Sequence, residues 1–306
     1  MGGRYSFGPV PSRRLGRSLG VSIIPPKYCS YSCVYCQLGR TNRLSVTRRS
    51  FYDRKEILDD VADSARGQSF DYITFAGDGE PTLSTDLGWL LEGCATLGRT
   101  AVITNGSLLA DSGVRAELGQ ADVVMPSLDA GDSNTFRSIN RPHPRIDFGD
   151  MLEGLERLVS EGRTRVWVEV MLVAGVNDSI ASLESLADAL AKVSPERVFI
   201  GAPIRPPAEE WVRVPSSRNI MMAMEMLGAE DSTYSETGEF GWREFESAEE
   251  AILRTAGRHP LRLEQARSIE ASFNSEVVDA LIGSGRLAVR EYGGRSFLVP
   301  AGREEG

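Results

Sequence analysis

The chain has 306 residues and a formal net charge of −9, with 41% hydrophobic and 25% charged residues. That balance excludes global disorder, and the length fits one large domain or one large and one small. Four Cys, three of them within eight positions, exclude a disulfide-stapled scaffold.

No apolar run approaches the roughly 18 residues of a membrane span. The most apolar, 166–176, is short and holds Glu169, and the Pro- and Arg-rich N-terminus lacks a signal-peptide core. A cytoplasmic location is therefore expected. The first 55 residues carry eleven Lys and Arg against a single acid, Asp53, so a basic head precedes an acidic body. This pattern suits a local anion-binding surface or a solvated arginine loop.

From Ser18 to Pro207, β-branched runs alternate with stretches of helical period. Strands are expected over 20–24, 72–75, 100–104, 123–126, 166–172 and 197–200. Helices are expected over 54–65, 87–97, 108–118, 149–160 and 179–192, with Asp53, Asp86 and Asp178 at N-cap positions. Six strands alternating with five helices imply an α/β fold with parallel strands. Six βα units fall short of the eight in a closed barrel, so a partial (β/α)6 barrel is expected, with its chemistry at the carboxyl ends of the strands.

Past Pro207 the pattern changes. A Met-rich helix over 219–227 and an acidic linker over 229–250 lead to helices at 251–257, 261–269 and 274–283, the last with Asn274 as cap. Strands at 287–291 and 296–299 follow, joined through Gly293-Gly294. Three helices and a hairpin are the order of a small winged-helix-like α+β module. The expected organisation is a core with its basic segment over 1–215, a helix and acidic linker over 216–246, and the module over 247–306.

The strongest chemical signal is the run from Cys29 through Cys33 to Cys36. Zinc takes four ligands, whereas the nearest other Cys is Cys94 and the only His are His143 and His259. Cys94 lies on the apolar face of a helix with Leu90, Leu91 and Leu97 and reads as a packed thiol. Three thiolates without a fourth suit an iron–sulfur cluster with one open iron, a Lewis-acid site; a buried or zinc-bound trio is the plainer reading. The second strand runs into Gly77-Asp78-Gly79-Glu80-Pro81, where glycines permit close backbone approach and a carboxylate can accept from an ammonium group.

The cysteine spacing, with Tyr35 just before the third Cys, resembles that of the radical S-adenosylmethionine (SAM) superfamily. The resemblance implies a [4Fe–4S] cluster on Cys29, Cys33 and Cys36 and SAM as second cofactor, cleaved to a 5′-deoxyadenosyl radical that abstracts hydrogen from a substrate. It also implies cofactor contacts from Tyr35, Gly77, Asp78, Gly79, Glu80 and Pro81. At later strand ends it implies contacts from Thr104, Asn105, Ser127, Asp129, Glu169, Asn177, Pro203 and Ile204. Each of these has a local reading as turn or cap chemistry, but a carboxylate inside a strand, as at Glu169, must find a partner. Lys27, Arg13, Arg14, Arg17, Arg40 and His143 flank the cluster loop in sequence and are expected to meet the substrate. Arg43, Arg48 and Arg49 belong to the same basic stretch.

The segments 7–14, 37–41, 77–83 and 125–130 further resemble a subgroup related to the enzyme that builds the tricyclic wyosine base on tRNA. That enzyme uses a second Cys trio and a lysine. With Cys94 the one spare Cys and only Lys27, Lys55 and Lys192 present, a single-cluster enzyme with a different substrate, tRNA/RNA or peptide, is expected. Its electron donor would be of flavodoxin or ferredoxin type. The alternative from another class is a non-enzymatic iron–sulfur redox sensor relaying to the C-terminal module. Against that, the third helix of the module carries Glu276 and Asp279 and no Lys or Arg, a poor phosphate-binding face.

Overall fold

The computed structural model describes residues 5–12, 14–232, 245, 247–258 and 260–301. Its main sheet has eight strands. β1 (Ser6–Ser12) pairs antiparallel with β2 (Gly16–Val21), and the two-residue strands β3 (Tyr28–Cys29) and β4 (Arg43–Leu44) pair with each other beside the sheet. β5 (Tyr72–Phe75), β6 (Thr100–Thr104), β7 (Val123–Pro126), β8 (Arg165–Met171), β9 (Arg197–Gly201) and β10 (Glu230–Asp231) complete the order β1-β2-β5-β6-β7-β8-β9-β10. Every pair from β2 onward is parallel. The sheet curls into an open half-barrel in which β2 and β5 to β9 are the six expected parallel strands.

Helices α1 (Arg54–Ala65), α2 (Leu87–Cys94), α3 (Ser112–Leu118), α4 (Ser133–Ile139), α5 (Phe148–Ser160) and α6 (Ile180–Val193) lie in the crossovers. Asp53 caps α1 as expected, accepting from the N–H groups of Lys55 and Glu56. Asp86 makes no capping bond. Ser179 caps α6, and Asp178 instead accepts from Gly175 N and Asn219 Nδ2. α3 starts four residues later than its periodicity suggests, at the Asp111 cap.

Two apolar layers hold the sheet. Outside, it buries one continuous core against the helices, Cys94 included. Inside, side chains two residues apart on successive strands face the hollow: Tyr72, Ala101, Val123, Met125, Trp167 and Phe199. Leu15, in the turn joining β1 to β2, fills the amino-terminal end of that hollow and is 2% exposed. β1 itself lies where no strand was expected, because Pro9 and Pro11 argue against one; at a sheet edge proline is tolerated. β2 therefore ends at Val21 and not at Ile24.

α7 (Ser217–Leu227) packs its Met-rich face on the core. The expected acidic linker begins with β10, and residues 233–244 and 246 lie outside the described set. The C-terminal elements are α8 (Ala248–Arg258), β11 (Leu261–Arg262), α9 (Leu263–Ser272), α10 (Val278–Gly283), β12 (Leu287–Tyr292) and β13 (Arg295–Pro300). They form a three-stranded sheet of order β11-β13-β12 over their own apolar cluster. Here α10 is shorter than expected: Asn274 takes a φ of 50° ahead of it and is no cap, and 261–262 are strand where helix was expected. No helix among the described residues is long and apolar enough to cross a membrane.

Gly20 faces the hollow, where the Phe7 ring covers it; a Cβ there would lie 2.2 Å from the ring. Gly20→Ala is expected to lower the urea midpoint by the equivalent of about 1–3 kcal/mol through overpacking. Adding Phe7→Leu should give a double variant that loses less than the sum of the single effects, which a double-mutant cycle reads directly.

Candidate active site at the carboxyl ends of the strands

The three cysteines lie on one loop leaving β3. All are half-buried and in thiol form, joined by no disulfide. The loop is held on several sides. Ser32 N–H donates to Asn140 O, Val34 N–H to Ile139 O, His143 N–H to Ser30 O, and Glu209 N–H to Val34 O. Val34, Ile139, Val173 and Val212 bury together beneath it. Burial pushes the Cys29 thiol up to about 12, with the negative Glu80 adding to it, and holds the Cys33 thiol well above its usual range, with Asp129 adding. These thiols ionise only where a cation compensates, which is what a bound metal centre provides.

Among the described residues no three His, Cys, Asp or Glu side chains close around one metal ion. A single zinc would need its sulfurs about 2.3 Å away. A cuboidal cluster instead presents a separate iron to each thiolate, so a three-thiol loop suits it and leaves one iron open.

The turn after β5 lies against this loop because Gly79 has no side chain: a Cβ there would stand 2.0 Å from Tyr28 O. Glu80 N–H donates to that same oxygen at 3.2 Å. The Glu80 side chain, 2% exposed, accepts from Thr82 N (3.0 Å), Thr82 Oγ1 (2.6 Å), Thr104 Oγ1 (2.6 Å) and Asn105 N (2.7 Å). Its carboxyl pKa is raised by burial, against the pull of these four bonds. Glu80 and Thr104 thus clasp two strand ends together. Asp78 is similarly engaged by Ser22 Oγ at 2.7 Å, and Pro81 opens the short 3₁₀ turn that Glu80 caps. Gly77, at φ 118°, and Gly79 are the half-exposed residues of the turn.

A second network lies on the far side of the loop. Asp129 Oδ2 accepts from Tyr35 OH (2.5 Å) and Asn140 Nδ2 (2.6 Å), and its Oδ1 from Met171 N (2.8 Å). Burial raises its carboxyl to about 6. Asn177 is buried and engaged with backbone, accepting from Val173 N and donating to Asp129 O and Met171 O, so it straps these segments together. Asn140 also points Nδ2 at Cys33 Sγ (3.6 Å), and Asn105 points its own at Cys29 Sγ (3.4 Å) and Ser30 Oγ (2.8 Å). Sequence reasoning missed Asn140; its one signal was a polar residue next to the Arg141-Pro142 loop. Ser127, opposite Glu169 on the neighbouring strand, is half-buried.

The basic head is mostly consumed internally. Arg14 forms an ion pair with Glu169 inside the hollow, so Glu169 finds its partner in the chain itself. Arg40 and Arg141 both bind Glu209, another residue that sequence reasoning missed, although Arg40 stays 57% exposed. Arg48 binds Glu117 and the carbonyls of Thr82 and Ser84, and Arg49 lies over the Tyr28 and Phe51 rings. Arg17 starts β2, at the amino end of the barrel, where its N–H donates to Asp71; this is the end opposite the cysteines. Arg13 and His259 lie outside the described residues. The Lys27 backbone braces the loop through Asp78 O and the N–H groups of Asn42 and Arg43. The His143 ring accepts from Arg145 N–H beside the loop. Pro203 is buried and Ile204 39% exposed, on a segment tied to the loop by Arg205 Nη1 to Gln37 Oε1 at 2.9 Å.

A family model for the radical SAM superfamily matches residues 23–190. A UPF0026 protein of Methanocaldococcus jannaschii is 33% identical over 96% of this chain and 95% of its own length. A probable GTP 3′,8-cyclase of Methanopyrus kandleri is 32% identical over 58% of this chain and 54% of its own. A solved radical SAM methyltransferase from Sphaerobacter thermophilus superposes with a TM-score of 0.56 at 23% identity, covering 71% of this chain and 65% of that one. That likeness bears on the fold alone.

If Glu80 is a clasp, Glu80→Ala should destabilise the protein even with neither iron nor SAM present. Four donors would lose their acceptor, and a drop of at least about 2 kcal/mol in urea unfolding is expected. Unchanged stability of that form would return Glu80 to a purely ligand-binding role.

Proposed function

Because the chain belongs to the radical SAM superfamily, and is thus an enzyme whose cofactors are a [4Fe–4S] cluster and SAM, we propose that Cys29, Cys33 and Cys36 hold the cluster at the mouth of the half-barrel. When bound and reduced by one electron, the cofactor pair supplies a 5′-deoxyadenosyl radical that takes a hydrogen atom from the substrate. A small electron-transfer protein of flavodoxin or ferredoxin type is the expected donor.

The observation that carries this reading is the convergence of the three thiols with the turn 77–81 through the Gly79–Tyr28 contact. The backbone carbonyls of the half-exposed Gly77 and Gly79, not the engaged Glu80 carboxylate, would accept from the ammonium group of SAM. The Ser127 hydroxyl, just past the end of β7, would meet the ribose. Phe7, Ile103 and Met125 line the hollow and exclude water, which a carbon radical requires. The Arg14–Glu169 pair forms its polar floor.

For the substrate, a peptide fits better than RNA. The arginines of the basic head are largely spent on internal acids, and α10 of the winged-helix-like module presents Asp279, 79% exposed, where a nucleic-acid reader would present cations. Among the described residues no strand pairs with the outer edge of β12, which would admit strand addition.

Anaerobic reconstitution with iron and sulfide, followed by reduction, should give a [4Fe–4S]⁺ paramagnetic resonance signal that shifts on adding SAM. Cys33→Ala should lose both the signal and 5′-deoxyadenosine formation. A wild-type cluster blind to SAM, or a fully active variant, would refute the assignment.

A further inference from the structure

Two asparagine side chains aim amide N–H groups at two of the cysteine sulfurs, from opposite sides of the loop. Asn105 Nδ2 stands 3.4 Å from Cys29 Sγ, and Asn140 Nδ2 stands 3.6 Å from Cys33 Sγ. The network fixes which way each amide points. Asn105 Oδ1 accepts the Ser107 N–H at 2.9 Å, so its nitrogen must face the sulfur. Asn140 meets the Asp129 carboxylate at 2.6 Å, where an amide oxygen would be repelled and only the NH₂ fits. Each nitrogen has two hydrogens, and each pair is divided the same way: one to an oxygen anchor (Ser30 Oγ or Asp129 Oδ2), the other to a sulfur.

We propose that Asn105 and Asn140 are positioning residues that raise the reduction potential of the cluster by donating hydrogen bonds to its ligand sulfurs. The proposal rests on the cluster assignment above. A cluster on three thiolates becomes one unit more negative on reduction, and an N–H dipole fixed at a sulfur stabilises the more negative state more. Asn140 is 2% exposed, so water does not dilute its effect. Neither asparagine touches an iron, and neither needs to gain or lose a proton. Their joint action eases the entry of the electron on which cleavage of SAM depends.

The test is a redox titration of reconstituted protein, followed by the paramagnetic signal of the reduced cluster, with iron content measured alongside. Asn105→Ala and Asn140→Ala should each lower the midpoint potential. The double variant should shift the reduction equilibrium at least tenfold toward the oxidised form, about 59 mV for one electron. Thr41→Val is the control: Thr41 Oγ1 donates to Tyr31 O at 2.6 Å and so stiffens the same loop without facing a sulfur. Its potential should match the wild type. Full clusters with unchanged potentials in the asparagine variants, or an equal shift in the Thr41 variant, would overturn the proposal while leaving the cluster assignment intact. A wild type that takes up no cluster would instead defeat that assignment.

Should the alanine variants load poorly, wild-type protein carrying ¹⁵N in its asparagine side-chain amides decides the matter. Double-resonance spectroscopy of its reduced cluster should show two ¹⁵N couplings passed through the hydrogen bonds, and none if the amides do not donate to sulfur.

Discussion

The structure turns on one buried carboxylate. Glu80 gathers four donors from two strand ends, Thr82 beside it and Thr104 and Asn105 across from it. A charge so placed is tolerated in the interior only because its hydrogen bonds are complete. The reward is geometric. Fixing Asn105 N fixes the residue whose amide reaches Cys29, and fixing the Glu80 backbone holds the turn against Tyr28. The cysteine loop, which has little regular structure of its own, borrows its rigidity from this point.

The N-terminal segment does comparable work from below. β1 pairs along the sheet edge, Phe7 lies over Gly20, Leu15 fills the amino end of the hollow, and Arg14 reaches Glu169. A half-barrel has an open side and two open ends; of this short hairpin, Leu15 closes the amino end, while Phe7 lies over Gly20 toward the turn at Gly77. The ion pair it creates is sheltered, and a buried pair of this kind gains little for stability over apolar packing. It leaves one charged contact in a hollow otherwise lined by apolar side chains.

The alternation of β-branched runs and helical stretches made the six parallel strands legible, since each strand is buried on both faces and reads as a continuous apolar run. β1 escaped because Pro9 and Pro11 disguise an edge strand. α4 escaped because its sequence Ser133–Ile139 buries only Phe136 and Ile139, too few to show a period. At the site, the cysteine spacing and the glycines of the turn identified the right region. Sequence shows that a polar residue sits at a strand end but not whether its hydrogen bonds are already taken. Glu80, Thr104 and Asn177 read as ligands, and the structure shows their hydrogen bonds engaged within the chain, while Arg40 and Arg48 read as free cations and are paired. Asn140 and Glu209 draw their importance from partners 107 and 169 residues away, a relation that no local pattern encodes.

Glu209 has a temporal meaning as well. It joins Arg40 and Arg141 and donates its backbone N–H to Val34, so the cysteine loop near the start of the chain is sealed by a segment that follows the last long strand of the barrel. Contacts of such sequence separation form late. On a ribosome, residues 29–36 emerge long before the residues that enclose them. During that interval the thiols stand open to solvent, to oxidants and to whatever delivers iron. The docking of Glu209 narrows access to the thiols late in folding, while the finished fold still leaves all three half-exposed.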